Sequence, residues 1–163
     1  MAIDMFLDIQ NKKIKGECID KAYPDTIQVL TWSWETSRGL DTGRMNPDYG
    51  RAKGAPIFKV LSFTKFVDRS SPMLLTAFAT ATEFTEAKLM MRRAGGKPFD
   101  YMTYTLEKVM IASIASGVTG MEPRQIETVN LSFLRLTASY QGQGADGGKA
   151  GGLVEATISV QGA

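Results

Sequence analysis

The stretch Val29–Glu35, read Val-Leu-Thr-Trp-Ser-Trp-Glu, constrains this chain more than any other. Side chains alternate across an extended strand. Leu30, Trp32 and Trp34 therefore share one face, and Thr31, Ser33 and Glu35 the other. Both tryptophans of the chain lie on the first face. A Trp side chain buries roughly 150–250 Å², so Leu30, Trp32 and Trp34 are expected to anchor a core. The other face is small and polar. It is expected to meet water, either bulk water or water inside an assembled cavity.

Further extended stretches surround it. Ile3 to Ile9 alternates, with Phe6 interrupting the polar side. Ile57 to Val67 is rich in Ile, Phe and Val, as strands are. Phe84 to Ala94 follows, and Leu153 to Val160 closes the chain. Phe99 to Ser116 and Gln125 to Gln141 are long enough to be single bent strands. In the second, the apolar parity moves from Val129, Leu131 and Phe133 to Leu134, Leu136, Ala138 and Tyr140. Such a flip marks a bulge or a passage between sheets. Ser71 followed by Pro72 predicts a helix start with Ser71 as N-cap. The helix spans about residues 72–80 and carries no charge, so it is expected to be covered on more than one side. About eight strands against one short helix predict an antiparallel barrel or sandwich.

Arg38 to Pro56 breaks the pattern. It holds four glycines, two prolines and four basic residues. Loops this long without structure of their own are uncommon. A solvated excursion and an arm that docks on a neighbour both fit the composition.

The totals exclude several functions. A chain of 163 residues predicts one domain. Its 19 basic and 17 acidic residues balance to +2, which gives no basic footprint for nucleic acid. There is no histidine, which removes Ser-His-Asp and Cys-His catalysis and most zinc sites. Cys18 is the single cysteine and is expected to be a buried bystander thiol. Gly142, Gly144 and Gly147 match G-x-G-x-x-G literally, but a strand follows where the dinucleotide fingerprint needs a helix. Asp4 with Asp8 and Glu83 with Glu86 have no fixed separation that would argue for an acid–base pair. No catalytic residue, cofactor site or metal site is therefore expected. The Met-Ala-Ile-Asp-Met-Phe start shows neither a secretory signal nor a membrane span.

Several motifs, taken together and in order, carry a family resemblance. They are Lys15-Gly16-Glu17, Trp32-Ser33-Trp34, Leu61 through Asp68 with Ser71-Pro72, and Ala87-Lys88-Leu89 leading to Arg93-Ala94-Gly95-Gly96. Glu127 through Phe133 follows, then Tyr140-Gln141 before a Gly-rich turn and a last strand. The chain resembles the haemolysin-coregulated protein (Hcp) family of type VI secretion over nearly its whole length.

The resemblance implies a two-sheet antiparallel β-barrel with one flanking helix (about 72–80) and an extended loop (about 38–56). It implies one domain over residues 1–163, without the C-terminal extension of toxin-bearing members. It implies a non-enzymatic tube subunit that forms hexameric rings, which stack and leave the cell with a VgrG-type spike. The implied partners are other copies of the chain, the spike, contractile sheath proteins and effector cargo in the ring lumen. Nucleic acid and stable membrane insertion are not among them. Localisation would be cytoplasmic before firing, then extracellular or in a target cell, without a cleaved signal peptide. Combined with the alternation, the resemblance places Thr31, Ser33 and Glu35 on the lumen wall. It gives Arg44, Met45, Asn46, Pro47, Asp48 and Tyr49 to a contact between subunits or rings. A ligand-binding barrel, a phage-type tube protein and a carboxylate hydrolase are the rival readings.

Overall fold

The computed structural model describes residues 3–40, 53–93, 98–118 and 123–160. Among these are eleven strands and one helix: β1 (Ile3–Ile9), β2 (Ile27–Gln28), β3 (Thr31–Ser33), β4 (Thr36–Leu40), β5 (Lys53–Phe58), β6 (Leu61–Phe66), α1 (Ser70–Ala79), β7 (Phe84–Arg93), β8 (Phe99–Gly117), β9 (Ile126–Ser132), β10 (Arg135–Gln143) and β11 (Lys149–Ser159). The fold is the mainly β, antiparallel, two-sheet barrel with one flanking helix expected from the sequence.

The first sheet runs β2-β1-β7-β8, then β10 and β11. The second runs β8-β9-β6-β3. Two corners join them. At one, the 19-residue β8 pairs with β7 and β10 through its first half and with β9 through its second. Its bend falls at Lys108, where φ is 55°, a left-handed conformation unusual for a side chain with a Cβ. At the other corner the chain passes from β2, paired with β1, to β3, paired with β6. Val29 N donates to Met5 O at 3.0 Å and Leu30 N to Thr64 O at 2.8 Å across this passage.

Between the sheets lie Leu7, Ile9, Ile27, Leu61, Phe63, Phe84, Leu89, Leu106, Val129 and Leu131, all 2% exposed or less. Apolar residues at alternate positions of facing strands interdigitate to make this core.

Four sequence expectations change in detail. Residues 125–141 form two strands with a break at Phe133–Leu134, each in a different sheet, which accounts for the parity flip. Ile57 to Val67 also divides, because β5 belongs to a separate ribbon and β6 to the barrel. The region 38–56 is not loop throughout. Thr36–Leu40 and Lys53–Phe58 pair as a two-stranded antiparallel arm, and the residues between lie outside the described set. The helix spans Ser70–Ala79, and Asp68, not Ser71, caps it. The Asp68 carboxylate accepts from Ser70 N at 2.8 Å, while Ser71 Oγ accepts from Asp68 N at 3.1 Å. This reciprocal pair is a capping box.

Candidate assembly surfaces

Register turns the alternation of single strands into rows across the second sheet. Thr31 lies beside Thr64, Thr64 beside Thr128, and Thr128 beside Ala115. The next row inward holds Trp32, Phe63, Val129 and Ile114. The following outward row is Ser33, Ser62, Asn130 and Ser113. The outward rows make a face of hydroxyls and one amide. Its groups bond to each other: Thr31 Oγ1 to Thr64 Oγ1 at 2.6 Å, and Asn130 Nδ2 donating to Ser113 Oγ at 2.7 Å. None of the outward-pointing strand residues of this face is charged.

Charge in this sheet lies on its inner side. Lys65 is fully buried. Its ammonium donates to Asp68 Oδ1 at 2.9 Å, Glu127 Oε2 at 3.2 Å and Ser71 Oγ at 3.0 Å. An ammonium has three N–H groups, and all three find partners here. Lys65 thus ties β6 and β9 to the start of α1. The sequence carried a sign of this cluster. Lys65 shares parity with Leu61 and Phe63, and Glu127 with Val129 and Leu131, so both charges stand at core positions.

The two ends of this sheet differ. Among the described residues, β3 pairs with β6 alone, leaving its other edge unpaired. Beyond Val109, the side of β8 opposite β9 has no strand partner among the described residues, and α1 packs against β8. The arm rises next to β3. Glu35 sits at its base and pairs with Lys59 at 2.8 Å, while Trp34 Nε1 donates to Lys59 O at 2.9 Å. A groove of about 560 Å³ lies between this base and β11, lined by Thr36, Arg38, Pro56, Phe58 and Ile158 among others. Helix α1 buries Leu74 and Ala77 but leaves Leu75, Phe78 and Met73 exposed. Tyr140, Leu153 and Val154 are exposed on β10 and β11.

The first sheet is built the other way round. Its outward positions include Asp4, Asp8, Glu86, Lys88, Arg92, Glu107, Arg135 and Glu155. These pair locally: Lys88 with Glu86 at 3.1 Å, Arg92 with Asp4 at 3.3 Å, and Arg135 with Glu107 at 3.9 Å. The segment Lys15–Asp25 roofs part of this face. Phe6, Cys18 and Met90 are buried beneath it with Tyr23 packed alongside, so Cys18 is buried as expected. Arg92 is the clamp. It grips Asp20 with two nitrogens, lies 4.9 Å from the Phe6 ring centroid and faces Tyr23. The bond from Arg92, followed by the Ala22 N–H, holds the Asp20 carboxyl down at about 2. Burial, then the bond to Asp100, pushes the Tyr23 hydroxyl up.

Of the residues singled out from the sequence, Thr31, Ser33 and Glu35 are exposed, and the first two lie on the uncharged face. Leu30, Trp32 and Trp34 are half-buried. Trp32 contacts the core and sits 5.0 Å from Tyr104, and Trp34 packs between Phe58 and Phe133. Arg44, Met45, Asn46, Pro47, Asp48 and Tyr49 lie outside the described residues. Among the described residues no helix is long and apolar enough to cross a membrane.

The comparisons with known proteins agree with this architecture. A family profile described as "Type VI secretion system effector, Hcp" matches residues 6–140. Protein hcp1 of Pseudomonas aeruginosa is 40% identical over 156 residues, covering 95% of this chain and 93% of that protein. The crystal structure of Hcp1 from Salmonella typhimurium superposes with a TM-score of 0.75 at 29% identity, covering 98% of this chain and 95% of that one. A solved type six secretion system protein reaches a TM-score of 0.85 at 25% identity, with 98% and 96% covered. Hcp is a family of secreted structural proteins rather than of enzymes, and this chain belongs to the Hcp family of type VI secretion.

Proposed function

We propose that this protein is the structural subunit of a type VI inner tube, with no catalytic role of its own. Six copies close into a ring, rings stack, and the tube leaves the cell with a VgrG-type spike when the contractile sheath fires. The observation that carries the reading is the uncharged outer face of the β8-β9-β6-β3 sheet. Its two ends are unlike, β3 at one and β8 beside α1 at the other. Joining unlike edges is a head-to-tail contact, and such contacts close into rings when the rotation allows. The sheet would then continue from subunit to subunit with its Ser/Thr/Asn face on the lumen, where Thr31 and Ser33 meet effector cargo and Glu35 stands at the rim.

The arm formed by β4 and β5, with residues 44–49 between them, reaches to the neighbouring subunit or ring. The uncharged outer side of α1, with Leu75 and Phe78 exposed, faces a neighbour or the sheath. One barrel unit over residues 1–163 accounts for these surfaces. The protein waits in the cytoplasm and is exported folded.

Light scattering with negative-stain images of the same sample tests the reading. Six-fold rings with an open centre are expected. A compact monomer at high concentration would favour a ligand-binding barrel instead. Deleting residues 44–49 should weaken ring or tube formation while the monomer still folds. Unaltered assembly would remove the arm from the account.

A further inference from the structure

We infer that the slot between α1 and the turn after β1 takes an acidic–apolar segment of another protein, with a large apolar side chain in the slot and a neighbouring carboxylate on Lys13. The slot belongs to a single copy of the chain and needs no ring.

Two preset walls frame it. Met73, Thr76, Ala77 and Thr80 recur at i, i+3, i+4 and i+7, the spacing of one helix stripe. They line a groove of about 260 Å³ together with Ile14 and Phe84. The turn leading to Ile14 is locked. Gln10, Asn11 and Lys12 hold φ of 48°, 51° and 61° in succession, left-handed values that residues with a Cβ rarely adopt. Gln10 N donates to Glu86 O at 2.8 Å, Lys12 N to Asp8 Oδ1 at 2.7 Å and Lys13 N to Ile9 O at 3.0 Å. Ala81, just past α1, is also left-handed at φ 50°, and Thr82 N donates to Ala77 O at 3.0 Å. A slot set before its ligand arrives loses little conformational freedom on binding.

The chemistry selects the occupant. The hydroxyls on the helix side are already used. Thr76 Oγ1 donates to Pro72 O at 2.9 Å, Thr80 Oγ1 to Thr76 O at 2.8 Å, and Thr82 Oγ1 bonds Thr80 Oγ1 at 2.8 Å. What remains is apolar surface, continued outward by the exposed Met73. Charge stands on one rim only. Pro72 through Thr82 carries none, whereas the facing segment holds Lys12, Lys13 and Lys15. The Lys13 ammonium lies 5.8 Å from the Phe84 ring centroid. Among the described residues none of these three lysines has an ion-pair partner. The acids nearby in the chain are engaged: Glu83 with Lys108 at 3.3 Å, Glu86 with Lys88 at 3.1 Å, and Glu17 with Arg69 N at 3.2 Å. An unpaired ammonium over an apolar slot is complemented by a carboxylate beside an apolar side chain. The slot is smaller than the roughly 300–1,000 Å³ of small-molecule pockets and suits one anchor of an amphipathic segment laid along α1.

The test is binding of labelled synthetic peptides to the purified protein, read by fluorescence anisotropy. The probe is an amphipathic peptide of about 15 residues, with leucines at i and i+4 and glutamates beside them. Its counterpart has lysines for the glutamates. The acidic peptide is expected to bind, and the basic one about tenfold more weakly or worse. Lys13→Glu should invert that order, which a general loss of structure would not do. Thr80→Trp, at an exposed position, should fill the slot and weaken the acidic peptide about tenfold, with the circular dichroism of the wild type. Equal binding of the two peptides, or binding untouched by both variants, would overturn the inference. So would no binding of the acidic peptide at about 1 mM. A fall in the solution mass of the protein alone on Thr80→Trp would give the slot to a second copy. Anionic phospholipid vesicles that displace the peptide, and that Thr80→Trp no longer binds, would give it to lipid. Either result would refute the acidic–apolar segment as its occupant.

Discussion

The two sheets of the barrel place their charges on opposite sides. The β1-β7-β8-β10-β11 sheet is apolar inside and charged outside, and it settles its charges by pairing within and between strands and by clamping Lys15–Asp25 over them with Arg92. The β8-β9-β6-β3 sheet keeps a charge cluster inside, around Lys65, and shows only neutral groups outside. Exposed ion pairs contribute little, about 0–1 kcal/mol each, so a face that meets bulk water gains little stability or loses little by carrying them. A neutral face across a whole sheet is therefore better explained by what it must meet than by stability.

The comparison can be broken by moving charge. Lys65→Ala should give the largest effect. It leaves buried Glu127 and half-buried Asp68 without their counter-ion, at a cost of about 3–5 kcal/mol, read from denaturant unfolding. A loss below about 1 kcal/mol would mean that the inner cluster does not hold β6, β9 and α1 together. Arg92→Ala should destabilise the fold less than Lys65→Ala, through the lost grip on the partly exposed Asp20 and Asp4 and the lost stacking on Phe6. It should also expose Cys18 to thiol reagents, whereas Lys65→Ala should leave Cys18 covered under native conditions.

Gly16→Ala probes the roof itself, which Arg92 ties to the first sheet and Arg69, just before α1, holds through Gly16 O and Asp25. A Cβ at Gly16 would stand 2.2 Å from Thr26 O, within the backbone itself. Overpacking of this kind costs about 1–3 kcal/mol, and faster amide exchange should be confined to Lys15–Asp25 and its contacts. On the neutral face, Thr64→Lys should change the unfolding free energy of the monomer by no more than about 0.5 kcal/mol. It should nevertheless abolish ring assembly or cargo retention, which sedimentation and co-purification would read separately. A fully competent Thr64→Lys ring would show that neutrality of the face is incidental.

The smallest effect concerns pH. Asp20 is held at about 2 in the fold against 3.8 for the free group. A depressed carboxyl stabilises the folded state above its unfolded value, and that stability is lost as pH falls toward the folded one. Wild-type protein should therefore lose thermal stability between about pH 4 and pH 2 more steeply than Asp20→Asn. Identical slopes would remove Asp20 from the clamp.

Much of this was legible in the sequence because burial writes a pattern. Alternation placed Trp32 and Trp34 against the core and Thr31 and Ser33 on the open side, and the parity flip near Phe133 marked a change of sheet. Lys65 and Glu127 also stood out of pattern, as charges on apolar parity. The arm was not legible. Among the described residues, Thr36–Leu40 pairs only with Lys53–Phe58 as a ribbon apart from the barrel sheets, and no core dictates which of its positions must be apolar. The helix cap was displaced because Ser71-Pro72 is a strong local signal, whereas the box formed by Asp68 and Ser71 depends on reciprocal bonds. The uncharged face was half legible. Each strand shows its own small polar residues, but only register shows that they line up.

The most direct measurement is an electron-microscopy density map of the assembled protein at side-chain resolution. The account predicts a six-fold ring in which Ser33, Ser62, Asn130 and Ser113 face the central opening and the Arg92 clamp faces outward. A ring with the charged sheet on the opening, or an assembly that buries the Ser/Thr/Asn face between subunits, would contradict it.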